Sequence, residues 1–157
     1  MYSVDTNVFI DWWERRYPPD VFPSVQKAMD LLSRGGQLHA PERVQEEIDA
    51  SGSKGLKVWA KQNKSIFLPH DPQLQAEAQR IQFAYPDLID NNSPYDEADR
   101  WVIALASIKK YSVVTHETSV RVKRKPERKL FIPDVCVALN IPCIELLELM
   151  RQQKWTF

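Results

Sequence analysis

Tyr2-Ser3-Val4-Asp5-Thr6-Asn7-Val8-Phe9-Ile10 is the stretch on which the reading of this chain turns. Residues 2–5 read as a short, partly apolar first strand that Asp5 closes. A carboxylate at the exit of a buried strand is costly unless something pairs with it. A metal ion, a cationic partner or backbone donors can each fill that role. Which of them does so decides whether the chain is an enzyme.

Working outward, Val8 to Arg15 reads as a helical turn or short helix, stopped by Tyr17-Pro18-Pro19-Asp20. Val21, Val25, Ala28, Met29 and Leu32 recur at helical spacing and mark a helix that ends before Gly35-Gly36. Leu38-His39-Ala40 is a second strand. Pro41 suits the first position of the next helix, with Glu42 in its first turn and Val44, Glu47 and Ile48 along it. Leu56 to Ile66 and Leu74 to Tyr85 are two further helices, with Phe67-Leu68 as a very short strand between them. The clearest helix runs from about Asp96 to Lys109, acidic at its start and basic at its end as the helix dipole prefers. Val113-Val114-Thr115 is a strong strand, and Phe131-Ile132 reads as a short one. Asp134 caps a helix reaching Leu139, and a last helix runs from Cys143 to about Gln152.

Short strands alternating with amphipathic helices predict an α/β fold, a small parallel sheet flanked by helices on both faces. The 157 residues suit one domain, 1–157. Acidic and basic residues balance at 21 each, so any attraction for nucleic acid has to be local. Cys136 and Cys143 sit in apolar surroundings, and nothing requires them to form a disulfide. No apolar stretch approaches the roughly 20 residues of a membrane span. No signal-peptide pattern opens the chain, which predicts a cytoplasmic protein.

Ligands in such sheets bind at the carboxyl ends of the strands. Asp5 closes the first strand, Asp99 lies in the first turn of its helix, and Glu117 follows Val113-Val114-Thr115 by two residues. Glu47 sits about two turns into the helix after the second strand. Four carboxylates in one pocket repel one another unless a cation is bound or some are protonated. Oxygen ligands without thiolate suit Mg²⁺ or Mn²⁺, which hold and activate water and neutralise charge on a phosphodiester. Each residue also has a plain alternative. Asp5 can cap the following turn, Asp96 and Asp99 can serve the helix start, and Glu46, Glu47 and Glu117 can be solvated.

The wording of the segments goes further. Asp5-Thr6-Asn7-Val8-Phe9-Ile10, the Glu-Glu-Ile of residues 46–48, residues 97–106 and Val113-Val114-Thr115-His116-Glu117 resemble, in order, the acidic motifs of PIN-domain ribonucleases. Lys129-Leu130-Phe131-Ile132-Pro133-Asp134-Val135-Cys136 is similar to the PIN-like branch catalogued as DUF4411. The resemblance covers nearly the whole chain, and the first and third motifs are the most specific.

It implies a three-layer PIN-like fold and a Mg²⁺- or Mn²⁺-dependent endoribonuclease, often the toxin of a toxin–antitoxin pair. The family's acidic positions fall on Asp5, Glu47, Asp99 and Glu117, with Glu46 as the other register for the second. Many PIN domains carry aspartate at the fourth position, where this chain has the longer Glu117. These four residues are expected to hold the ions, while metal-activated water attacks RNA phosphorus and leaves a 5′-phosphate and a 3′-hydroxyl. Thr6, Asn7 and Thr115 are expected to support them by hydrogen bonds. Asp96 either touches the ion through water or caps the helix. A cognate antitoxin and a homodimer are the implied protein partners.

Residues 121–129 carry six basic side chains and Glu127, a local charge of +5. Arg121, Lys123, Arg124, Lys125, Arg128 and Lys129 form either an RNA-binding rim beside the pocket or a solvated loop. Trp12, Trp13 and Tyr17 pack against the sheet, meet a second subunit or stack on a base, with core packing the default. His116 neighbours Glu117, but strand alternation sends the two to opposite sides. Two other functional classes remain: a PIN ribonuclease of RNA processing outside a toxin system, and a catalytically silent PIN-like interaction domain. An aspartyl phosphatase is disfavoured because Asp5-Thr6-Asn7 lacks a second nearby aspartate and no glycine-rich phosphate loop is present.

Overall fold

The computed structural model describes residues 1–88, 97–123 and 129–157. The apolar runs that read as strands form the centre. These are β1 (Tyr2–Val4), β2 (Leu38–Pro41), β3 (Phe67–Leu68), β4 (Ser112–Val114) and β5 (Cys143–Ile144). All four pairings are parallel, and the sheet order is β3-β2-β1-β4-β5. Tyr2 stands opposite both Leu38 and Ser112, and Val4 opposite Val114, so β1 is central. Val4, Leu38, Ala40, Val113 and Val114 are fully buried. Parallel strands covered on both faces require this, and each fully buried Val or Leu contributes about 1.5–3 kcal/mol.

The helices follow from the connections. After β1 come α1 (Thr6–Ile10), a π-helical segment (Asp11–Arg16) and α2 (Pro23–Arg34). α3 (Glu42–Ser51) and α4 (Lys54–Gln62) join β2 to β3. α5 (Pro72–Ala84) and α6 (Asp99–Lys109) lie between β3 and β4, α7 (Ile132–Ala138) precedes β5, and α8 (Leu146–Gln152) closes the chain. The sheet grows one way from β1 to β3 and the other way from β4 to β5. Right-handed crossovers therefore place the two sets of helices on opposite faces, a three-layer α/β/α arrangement. Neighbouring residues of β1 register the two faces. Ser3 Oγ donates 2.8 Å to the Val102 carbonyl of α6, while Tyr2 OH meets Gln152 at 3.3 Å and Gln153 at 3.0 Å at the end of α8.

The aromatic cluster belongs to the core. Trp12 is fully buried and lies edge-on to Trp59 at 5.0 Å and to Trp13 at 5.3 Å. Tyr17 packs edge-on against Phe22 at 5.6 Å. Such pairs add about 0.5–1.5 kcal/mol beyond their buried area. Among the described residues, no helix is long and apolar enough to cross a membrane.

Four local expectations are corrected. Phe131-Ile132 is not a strand. The amide of Phe131 donates 3.0 Å to Asp134 Oδ2, and α7 begins at Ile132. Cys143-Ile144 does not begin the last helix. It pairs with Val113-Val114 as β5, and the helix starts at Leu146. Pro41 ends β2 with extended ψ of 152° and stands before the first helical residue, Glu42. The helix expected over 56–66 is α4 followed by a 3₁₀ turn at Lys64–Ile66. Asp96 lies outside the described residues, within which α6 starts at Asp99. Cys136 and Cys143 are both free thiols.

Candidate functional site

Strand order reverses beside β1: β2 lies on one side of it and β4, much later in the chain, on the other. Such a switch point leaves a crevice at the carboxyl ends of the two strands. Asp5 follows β1 directly, and its amide donates 3.0 Å to the Val114 carbonyl. Thr115 follows β4, and its Oγ1 donates 2.8 Å to Asp5 Oδ2 across the crevice. The same hydroxyl accepts from Asn7 Nδ2 at 3.2 Å and from the Glu117 amide at 3.0 Å. One donor and two lone pairs are thereby all used. Asn7 completes the clasp by accepting the His116 amide at its Oδ1, 3.0 Å away.

Glu47 comes to the crevice from α3. Thr6 Oγ1 donates to its Oε2, and the Ala98 amide donates 2.9 Å to its Oε1. That second bond ties α3 to the start of α6, where Asp99 is nearly buried at 9% exposure. Glu46, one residue earlier, is exposed and pairs with Arg43. The helix turn therefore points Glu47, and not Glu46, inward. Glu117 approaches from the β4 side, with its Oε2 accepting the Ile132 amide at 2.8 Å.

These placements set the electrostatics. Asp5 is 4% exposed, and its carboxyl is pushed up to about 7. Burial is the largest cause, followed by repulsion from Glu117, with Glu47 adding to it. The bonds from Thr115 and the Thr6 amide oppose the rise. Glu47 is raised as well, chiefly by burial, against the hydrogen bonds from Thr6 and Ala98 and the charge of Arg43. Asp5, Thr6, Asn7, Glu47 and Asp99 line one open cleft of about 330 Å³ together with Ile10, Arg15 and Glu97. Glu117 does not line this cleft but stands close enough to Asp5 to repel it.

The carboxylate and hydroxyl donors match a hard divalent cation in chemistry, and Asp5, with Glu117 and Glu47 as neighbours, shows a charge need that such a cation would meet. Among the described residues, no three His, Cys, Asp or Glu side chains are gathered at metal-ligand spacing.

Glu97 and Arg15 line the cleft without having been singled out from the sequence. Glu97 stands two residues before Asp99, inside the third acidic motif, and that proximity was the available signal. Arg15 carried none. His116 turns away from Glu117 and meets Asp11 Oδ2 at 2.9 Å. Burial alone would raise the Asp11 carboxyl, but bonds from His116 and Arg15 outweigh it and hold the group below its ordinary value. Asp134 anchors the 119–120 turn, accepting from Ser119 Oγ at 2.5 Å and the Val120 amide at 3.0 Å.

In the basic segment, Arg121 is exposed and Lys123 Nζ sits 3.5 Å from the Phe131 ring centroid. Lys129 Nζ reaches Asp87 Oδ1 at 3.4 Å. Arg124, Lys125 and Arg128 lie outside the described residues.

Sheet, helices and cleft together define a parallel α/β protein with an acidic cleft at the strand carboxyl termini. The profile of the family described as "Domain of unknown function (DUF4411)" matches residues 2–157, and the chain belongs to that family. Neither a curated protein nor a solved structure matches it.

Proposed function

We propose that this DUF4411 protein is a Mg²⁺- or Mn²⁺-dependent endoribonuclease of the PIN type, acting as the toxin of a type II toxin–antitoxin pair. The observation that carries the reading is Asp5. It is a buried carboxyl at a strand switch point, raised to about 7 by burial and by two further acids that come from distant segments. Like charges assembled in this way are unfavourable unless a cation is bound or some acids are protonated, and a cation site gives the assembly a use.

In this reading Asp5, Glu47, Asp99 and Glu117 hold the metal, which supplies charge neutralisation on the phosphodiester and activation of water. The chain's own contribution is preorganisation. Thr115 and the Thr6 amide fix Asp5, while Thr6 and Ala98 fix Glu47 from two directions. Asn7 locks the turn that carries Glu117. No histidine need act as base in this reading, and His116 is engaged with Asp11. The toxin role, a cognate antitoxin, a homodimer and RNA as the substrate rest on the PIN resemblance, and a cytoplasmic site of action rests on the sequence pattern alone.

The deciding experiment incubates defined tRNA and mRNA pools with the protein and Mg²⁺ or Mn²⁺, beside an EDTA control and the Asp5→Asn and Asp99→Asn variants. Metal-dependent cleavage with 5′-phosphate ends, lost in both variants, is expected. RNA that stays intact under every metal condition identifies a silent PIN-like interaction domain. Cleavage that persists unchanged in both variants removes these acids from the reaction. Growth arrest on expression, relieved by the product of an adjacent small reading frame, separates a toxin from an RNA-processing enzyme.

A further inference from the structure

Among the described residues, the acidic cleft has one basic residue in its lining, Arg15. It belongs to the π-helical segment Asp11–Arg16, whose widened winding is registered by the Tyr17 amide bonding the Trp12 carbonyl five residues back at 3.1 Å. Such segments are rare and recur at functional sites. Both following arginines reach Asp11: Arg15 Nη1, at ordinary i,i+4 spacing, lies 2.8 Å from Oδ1, and Arg16 Nε, five residues on as the wider winding allows, lies 3.4 Å from Oδ2. Asp11 is itself pinned from the far side by His116, whose amide is held by Asn7 on the cleft wall. A continuous chain of bonds thus runs from the cleft to the Arg15 guanidinium.

Exposed ion pairs on one helix add little stability, so stability does not explain this arrangement. Arg15 is 70% exposed, and its bond to Asp11 uses part of a fork with five N–H donors. The remaining donors stand at the mouth of a cleft whose other charged residues, among those described, are Asp5, Glu47, Glu97 and Asp99. A polyanion entering such a cleft needs positive charge at its rim, and a guanidinium matches the paired oxygens of a phosphate.

We propose that Arg15, held by Asp11 at the mouth of the cleft, is a binding residue that grips a backbone phosphate of single-stranded RNA next to the one to be cleaved. The proposal rests on the ribonuclease reading and adds a substrate contact to it. Arg16 shares the same carboxylate but does not line the cleft, which makes it the internal control.

The test measures binding of a labelled single-stranded RNA of mixed sequence to cleavage-silenced Asp99→Asn protein with Mg²⁺ across a range of KCl concentrations. Arg15→Ala, Arg15→Lys and Arg16→Ala are added to that background, and each is also assayed for cleavage with Asp99 intact. Arg15→Ala is expected to weaken binding about tenfold, as loss of one charge-assisted contact does. It should also reduce the slope of log K against log[salt] by about 0.7, the value for one phosphate on a single strand. Arg15→Lys restores most of the slope and only part of the affinity. Arg16→Ala leaves Kd within about twofold, and thermal midpoints stay within about 2 °C throughout. Equal Kd and salt slope for Arg15→Ala and Arg16→Ala overturn the assignment; if wild-type protein still cleaves, the ribonuclease reading stands without it. Wild-type protein that neither binds nor cleaves RNA with either metal removes that reading, and this contact with it.

Discussion

Thr115 Oγ1 donates to Asp5 Oδ2 at 2.8 Å across 110 residues of chain, joining the ends of β1 and β4 at the point where the sheet reverses its order. Asn7 and the Glu117 amide saturate the same hydroxyl. Thr115→Val keeps the shape and removes every one of these bonds. It should cost about 1–3 kcal/mol, because buried polar groups lose their partner. For a chain of this size that lowers the thermal midpoint by roughly 2–4 °C per kcal/mol. Thr115→Ser keeps the hydroxyl and should recover most of the loss. Calorimetry of the two variants checks this, and equal midpoints for Val and Ser would remove the clasp from the stability account.

The raised Asp5 carboxyl makes the metal-free protein sensitive to pH. Its folded value of about 7 lies above the ordinary 3.8, so the fold prefers the protonated acid. That preference is fully present below pH 3.8 and is lost as pH rises through 7. Asp5→Asn abolishes the titration. In EDTA, the midpoint of the Asn variant minus that of wild type should therefore grow from pH 4.5 to 7.5, by roughly 6–13 °C, and then level off. Glu47, raised in the same direction, still titrates in both proteins. A difference that stays constant with pH would mean that Asp5 ionises freely.

Metal addition should reverse that penalty. At pH 8, Mg²⁺ or Mn²⁺ at about 100 times its Kd stabilises a one-site protein by roughly 2.7 kcal/mol. Wild-type protein should gain that much, while Asp5→Asn and Asp99→Asn gain little. Thermal shifts against metal concentration, with calorimetric titration beside them, read this directly. Equal gains for all three proteins would place the ion elsewhere.

The direction of α3 makes a separate prediction about two adjacent glutamates. Glu47 is gripped by Thr6 and the Ala98 amide, whereas Glu46 is exposed with Arg43. Glu47→Gln should lower metal-dependent RNA cleavage by at least about 100-fold, and Glu46→Gln should leave it within about twofold. The reverse ranking would put the second acid in the other register.

Much of the site could be read in order along the chain. Asp5 stands out as an acid that closes an apolar strand, whereas Asp99 and Glu117 have plain local alternatives, a helix start and a solvated loop, and are marked by the PIN resemblance. The resemblance puts the second acid on Glu47, before the apolar Ile48, with Glu46 as the other register; spacing alone does not separate two adjacent helical residues, and the docking of α3 turns Glu47 inward. Phe131-Ile132 and Cys143-Ile144 look alike as two-residue apolar pairs. Cys143-Ile144 finds the open edge of β4 and becomes a strand; Phe131 gives its amide to Asp134 and starts a helix. Arg15 could not be picked from 21 basic residues, because its i,i+4 pairing with Asp11 is common on any helix and only the folded chain places it at the cleft.

By itself, the amino-acid order determined which short segments are apolar, which helices have one greasy face, and that a parallel α/β arrangement buries them all. Those properties are local, since periodicity records how each segment meets its nearest surroundings. Only the tertiary structure decided that β4 pairs with β1, and hence that Thr115 and Glu117 stand beside Asp5. Strand order is a contest between pairings remote in the chain, settled by the whole core at once, and no single segment carries its outcome.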